Sequence, residues 1–297
     1  MPSTAELTAP AIVRFDDLSP TWEAPRAREP GFIRWIVSYV GGVPPFWNNN
    51  PETGLVSGRV AIGVMWLPVG NRQSGVHVHS ITEIYVILRG RVESIELSGR
   101  RHVAGPLDCL VMPPGAPHAV RAIGDEDVVL LWVHDKPEEA GSSAYFDESE
   151  PPPPGGAPQV QLVTWDSLEP SWDLPKAKSG GHLRYATSWV GGAEGFEHYN
   201  RGVGAINDRV SLGAVVMPPG NSEVPHSYAT PRHYLVVSGR GTVVGDRDAA
   251  PLGPLDLVVL PPSVPHALRT VGTDPLRLVS FHEELQPEGS AQYVEAC

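Results

Sequence analysis

The sequence predicts an all-β protein made of two copies of one closed domain, and three observations carry that prediction. Apolar residues come in short runs rich in β-branched side chains, bounded by turn formers. Glycine (31) and proline (32) are both abundant among 297 residues, which suits a chain of many turns better than a helical bundle. The first half of the chain also recurs in the second.

Taken in order, the strand-like runs of the first half are Val60 to Leu67, Glu83 to Leu88, Arg91 to Leu97, Leu107 to Met112 and Val128 to Val133. Arg89-Gly90 and Pro113-Pro114-Gly115 punctuate them. Several such strands in succession imply a barrel or sandwich, in which a closed sheet leaves no edge exposed. Residues 24–58 show no comparable run, and PPFWNNNPETG from Pro44 reads as a long loop that could cover a site.

The repeat is direct. VRFDDLSPTWEAP from Val13 returns as VTWDSLEPSWDLP from Val163, so that Asp16, Leu18, Pro20 and Trp22 recur at a shift of 150. Later, GPLDCLVMPPGAPHAVR from Gly105 returns as GPLDLVVLPPSVPHALR from Gly253, at a shift of 148. Residues 136–158, rich in Pro, Gly, Ser and acidic groups, read as a linker made stiff by the prolines at 151–154. The expected domains are therefore 1–150 and 151–297.

Composition narrows the function. At 41% hydrophobic residues the chain can build a sizeable core. A net charge of −12 argues against nucleic acid or an anionic membrane as partner, since both need a basic face. No apolar run reaches membrane-spanning length, and MPSTAELTAP lacks the basic and apolar regions of a signal peptide. The two cysteines, Cys109 and Cys297, do not suggest a disulfide scaffold, which fits a cytoplasmic protein.

One stretch carries chemistry. GNRQSGVHVHSITEIYVILRG from Gly70 holds His77, His79 and Glu83, and MPPGAPH adds His118. In an extended chain His77 and His79 share a face, and Glu83 has the same parity unless a turn at Ser80 to Thr82 resets it. Three imidazoles and one carboxylate are donors that suit a divalent transition metal, and they leave coordination positions open.

These two stretches resemble the paired motifs of the cupin superfamily. The first motif matches His77, His79, Glu83 and Gly90, and the second matches Pro113, Gly115 and His118. The resemblance spans nearly the whole chain and implies two tandem cupin barrels, of the double-stranded β-helix or jelly-roll type. It further implies one divalent ion held by His77, His79, Glu83 and His118, with Fe(II) favoured and Mn, Zn or Ni as alternatives. Family members often self-associate, so a homo-oligomer is in keeping with it.

The second copy departs from the motif. His226 stands for His77, Tyr228 for His79, Arg232 for Glu83 and His266 for His118. A guanidinium in place of the carboxylate repels a divalent ion. His233 lies one residue out of place, on the wrong face. The second barrel is therefore expected to be degenerate, with Arg232 in an internal salt bridge rather than an anion site.

The resulting expectation is a metal-dependent enzyme on a small-molecule substrate, a non-haem Fe(II) dioxygenase acting on an aromatic or enolisable compound. Non-redox isomerase, decarboxylase, lyase or polyketide-type cyclase chemistry is the first rival. A non-catalytic ligand-binding or regulatory protein is the second. Tyr85 is a candidate beside the metal, and Trp66, Phe46 and Trp47 are candidates for an apolar wall. Asn48 to Asn50 suit either substrate contact or turns, while Asp108, Asp256, His134 and His282 recur in both halves and read as structural.

Overall fold

A computed structural model describes residues 2–139, 141–146, 156–245 and 249–294. The prolines at 151–154 and Cys297 lie outside the described residues. The first half contributes strands β1 (Ala11–Val13), β2 (Trp35–Gly41), β3 (Leu55–Val56), β4 (Ala61–Leu67), β5 (Val76–Val78) and β6 (Glu83–Arg89). It continues with β7 (Arg91–Ile95), β8 (Val103–Ala104), β9 (Cys109–Met112), β10 (Ala119–Ile123), β11 (Val128–His134) and β12 (Ala144–Phe146). The second half opens with β13 (Gln161–Val163), β14 (Tyr185–Gly191), β15 (Ala205–Ile206), β16 (Ser211–Met217), β17 (His226–Ser227) and β18 (Arg232–Ser238). It closes with β19 (Arg240–Val244), β20 (Ala249–Leu252), β21 (Leu257–Leu260), β22 (Ala267–Val271), β23 (Leu276–His282) and β24 (Gln292–Tyr293). Three short 3₁₀ turns are the helical elements among the described residues.

The expected all-β architecture is present, built twice. In the first unit a seven-stranded sheet runs β13-β9-β6-β11-β4-β2-β3, accompanied by a three-stranded sheet β10-β7-β8 and the pair β12-β5. The second unit repeats the plan with β1-β21-β18-β23-β16-β14-β15, then β20-β19-β22 and β17-β24. Each unit closes on its own apolar core, around Met65, Ile87, Leu110, Leu130 and Trp132 in the first. Met217, Val236, Leu260, Leu268 and Leu278 fill the second.

Residues 24–58, read as strandless, contain β2, a WIVSYVG run that pairs with β4 along its length. Its residues Val37 to Gly41 are buried, so apolar and small side chains occupy both faces. Alternation, the usual signature of a strand, is therefore missing.

The units also do not divide at 150. The first comprises Leu18–Ser167, and the second comprises Pro2–Asp17 with Leu168–Cys297. The strand that opens each repeat completes the sheet of the other unit. β13 pairs with β9 (Leu162↔Leu110), and β1 pairs with β21 (Ile12↔Val258). Val160 is 2% exposed in the first core, and Ile12 packs on the second. Arg14 fixes the N-terminal segment through Asp256 at 2.6 Å and the Pro251 carbonyl at 2.7 Å. Deleting residues 2–17 should therefore weaken the second unit and spare the first. Stripping an edge strand at a cost of about 2 kcal/mol lowers the melting point of a unit this size by roughly 4–8 °C. Two-probe melting, with Trp fluorescence of each unit isolated by substitution, checks this.

The motif glycines have backbone duties. Gly90 joins β6 to β7 at φ +73°, and a Cβ there would lie 2.7 Å from the Asp127 carbonyl oxygen. Gly115, at φ +78°, makes the turn that brings His118 back toward β5.

Candidate metal centre

Backbone pairing assembles the four residues singled out by the sequence. His77 in β5 and His118, just before β10, exchange both of their backbone N–H···O bonds at 2.9 Å. Glu83 opens β6 beside them, and His79 lies between. His77 and His79 do share a face, with ring centroids 5.0 Å apart. One donor atom from each of His77, His79, Glu83 and His118 lies within 4.8 Å of every other, a group able to hold a metal ion.

The donor set fits a cation in detail. His118 Nδ1 lies 2.9 Å from the Ala116 carbonyl, which orients the ring so that its Nε2 points at Glu83 Oε2, 2.7 Å away. His79 Nδ1 meets Glu138 Oε2 at 2.5 Å, turning its Nε2 toward Glu83 at 3.2 Å. That Nε2 is buried without a hydrogen bond. A carboxylate behind a ligating imidazole orients the ring and raises its basicity. Glu138 is itself held by the Ser80 backbone N–H and hydroxyl.

The charges of the protein groups show the same preference for a cation. Burial opposes protonating His79, yet Glu83 and Glu138 outweigh it and push His79 up to about 10. Burial likewise opposes ionising Glu83, but His79 and the hydrogen bonds from His118 and His134 hold it well below the usual carboxylate range. Burial, with His118 next, drives His77 well down. A site that concentrates one positive charge among lone pairs accepts a metal ion in its place.

Three features around the ligands escaped sequence reading. His134, read as structural, lies opposite Glu83 in the β11–β6 register, with its Nε2 3.1 Å from Glu83 Oε1. Glu138 and Tyr145 both come from residues 136–158, read there as linker. In fact β12 pairs with β5, and the Tyr145 ring stacks on His77 at 5.4 Å. A three-residue strand carries too little periodicity to announce itself.

His77, His79 and Glu83 open on a cavity of about 190 Å³, walled by Ile36, Trp47, Met65 and Trp132 and by the polar side chains of Arg34, Gln73 and Tyr85. Of the three candidates for an apolar wall, Trp47 lines the cavity. Trp66 instead bonds Asp127 and stacks on Trp35, and Phe46 is 36% exposed. Asn49 and Asn50 tie the preceding loop to Ser38 and Ser19, so these asparagines make turns. Tyr85, bonded by Gln73 Nε2 at 3.1 Å, is kept a neutral phenol by burial and by Glu83. Asp108 and Asp256 do cap turns before strands, each accepting a glycine N–H at 2.8 Å.

The second unit keeps the backbone and loses the chemistry. His226 and His266 exchange the same pair of backbone bonds, and Arg232 faces His282 as Glu83 faces His134. Arg232 is not in the expected salt bridge: among the described residues no carboxylate lies within 4.0 Å of it. Its Nη1 donates to the Tyr228 hydroxyl at 2.7 Å, and its guanidinium lies over the Tyr228 and Tyr234 rings at 4.8 and 4.6 Å. The carboxylate of this barrel has moved to Glu223, the repeat partner of Gln73, which accepts from Tyr234 and the Leu268 N–H. A guanidinium therefore serves as the resident cation. His233 points elsewhere, to Glu283 at 2.8 Å.

Burial and the Arg232 charge push His226 down to about 3, and burial with His226 does the same to His266. Both rings stay neutral in the fold, whereas in the unfolded chain they titrate near ~6.5. Below that pH the unfolded chain takes up protons that the native unit refuses. Stability should hold above pH ~6.5 and fall steadily toward pH 3. Melting curves between pH 7.5 and 4 check it, and a His226→Gln, His266→Gln variant should show a shallower fall.

The cupin domain family matches residues 63–134 and 213–282. With two such domains in tandem and the three-histidine, one-glutamate group in the first, the chain belongs to the cupin superfamily. No curated protein matches the sequence. Among solved structures, oxalate decarboxylase from Lactobacillus farciminis, in a formate complex, aligns at a TM-score of 0.62 and 16% identity, covering 97% of this chain and 89% of that one. A point mutant of the Bacillus subtilis oxalate decarboxylase OxdC aligns at 0.62 and 16%, covering 99% and 82%. A point mutant of salicylate 1,2-dioxygenase from Pseudoaminobacter salicylatoxidans, in complex with gentisate, aligns at 0.60 and 15%, covering 90% and 82%. At these identities the likeness concerns the fold. Among the described residues no helix is long and apolar enough to cross a membrane.

Proposed function

We propose that the first unit is the active site of a metal-dependent enzyme, a non-haem iron(II) dioxygenase acting on a small aromatic or enolisable compound. The observation that carries this reading is the cluster of His77, His79, Glu83 and His118, the first three of which line a cavity walled by Trp47 and Trp132. Iron(II) held by those four side chains would relay electrons from the organic substrate, which is the reductant, to dioxygen. The protein groups do the rest. Glu138 and Ala116 fix the ring orientations of His79 and His118. The Trp47 and Trp132 faces, 5.4 Å apart between centroids and tilted by 57°, offer a planar substrate an apolar wall and exclude water.

A second reading is favoured by Tyr85. Its phenol, kept neutral by burial and by Glu83, lies in the cavity lining, a hydrogen-bond donor able to steady a developing oxyanion in isomerase, decarboxylase, lyase or cyclase chemistry on manganese, zinc or nickel. A cytoplasmic setting and self-association belong with both readings. The test is metal analysis of protein purified without chelators, followed by oxygen uptake with catechols, flavonols and diketones. Stoichiometric iron with substrate-dependent uptake is expected. Zinc without uptake would favour the second reading, and no bound metal would overturn both.

A further inference from the structure

We infer that the cavity takes a carboxylate-bearing monoanion and that Arg34 is the group that receives the carboxylate, a claim that rests on the metal-site reading above. Arg34 is 3% exposed and lines the same cavity as His77, His79 and Glu83. Burying a guanidinium costs free energy unless it is paired. Yet the side-chain hydrogen bond it makes among the described residues is a long one, from Nη1 to the Phe32 carbonyl at 3.3 Å. No described carboxylate lies within 4.0 Å of it, and burial pulls its pKa down. Five N–H donors in a planar fork are thus largely uncommitted inside a cleft.

Trp132 stands in the same lining. It is 4% exposed and its indole N–H is buried with no acceptor. An indole N–H can only donate, but this one has almost no accessible surface and its ring edge packs toward Gly63, so Arg34 is the group that offers donors to a ligand in the cavity. The carboxylates already present do not fill the role, because Glu83 is engaged by three histidines and Glu138 by His79 and Ser80. Glu139, at the mouth, is exposed. Adding a divalent ion beside a buried guanidinium leaves an excess of positive charge that a monoanion would relieve. The apolar side of the cavity, Ile36, Met65 and Trp47, would cover the remainder of such a ligand.

The repeat supplies a control. Arg184 occupies the matching strand end in the second unit and makes the matching bond, Nη1 to the His182 carbonyl at 3.0 Å. An arginine there has a scaffold role in both barrels. The neighbours differ: Arg34 shares its barrel with four ligating groups, Arg184 with the buried guanidinium of Arg232.

Benzoate and its neutral isostere benzamide are the probes, titrated calorimetrically into the full-length metal-loaded protein. Benzoate should bind and benzamide should not. Arg34→Met should weaken benzoate at least about tenfold, as expected for losing a charge-assisted pair, while metal content stays at the wild-type level. Arg34→Lys should recover part of the affinity, and it keeps the test alive should the methionine variant fail to fold. Arg184→Met should leave benzoate binding unchanged. Equal binding of benzoate and benzamide, no benzoate binding, or unchanged binding in the folded Arg34→Met protein would each overturn the inference. A chain that takes up no metal yet still binds benzoate through Arg34 would overturn the metal reading and leave this one standing.

Discussion

Glu83→Gln should lose metal affinity by at least about 100-fold, beyond the 10- to 100-fold typical of removing a group behind a ligand, while the barrel stays folded. Glu83 is the hub of the site. Its two oxygens face His118 at 2.7 Å, His79 at 3.2 Å and His134 at 3.1 Å. An amide removes the one negative charge at the centre of that set and leaves a neutral carbonyl oxygen, a weaker donor to a divalent ion, in its place. Dialysis against metal-free buffer followed by elemental analysis reads the loss, and circular dichroism reports on the fold. Glu138→Gln, which acts through His79, should show a smaller drop of roughly tenfold. Full loading of the Glu83→Gln protein would remove the basis for the site.

The opposite experiment has an equally large expected effect. Tyr228→His combined with Arg232→Glu should raise metal stoichiometry from one ion per chain to two. The backbone already holds His226 and His266 across from each other in the paired geometry of His77 and His118. Their Nδ1 atoms are committed to the Val224 and Val264 carbonyls at 2.9 and 3.0 Å, so the Nε2 of His266 is free to ligate and that of His226 faces only Arg232 Nη1 at 3.5 Å, a contact the substitution removes. His282 waits opposite position 232 with neither ring nitrogen hydrogen-bonded, as His134 would be without Glu83. Arg232→Met alone should not create a site, because the carboxylate is still missing. A folded double variant that binds one ion would show that ligand identity is not what separates the units.

The candidate metal group was legible in the sequence where residue type and spacing alone bring side chains together. His-x-His with a following glutamate, and the later Pro-x-Gly-x-x-His, name their ligands because strand alternation and one tight turn fix where those side chains go. The supporting groups were not legible. His134 and Glu138 reach the site through long-range register and through a loop of unremarkable composition, and neither is written in local pattern. His134 was also misread because it recurs: repetition suggested structure, when both barrels had kept the frame of a site. The same holds for the fold. Strands that alternate or sit between turn formers could be read, but β2, buried on both faces, could not. The exchange of opening strands leaves no local trace at all, since β1 and β13 have the same sequence character whichever sheet they join.

That exchange matters at the ribosome. The segment made first, around Ala11, finds its partner Val259 only when almost the entire polypeptide has been synthesised, so the second barrel closes last and through a contact of extreme sequence separation, the kind that slows folding. Meanwhile the metal-bearing barrel needs only residues up to about Val163, and can be finished while the remainder is still being translated. A gene cut at codon 150 would yield two fragments that each carry the strand belonging to the other, so their recovery as folded protein should depend on making them together.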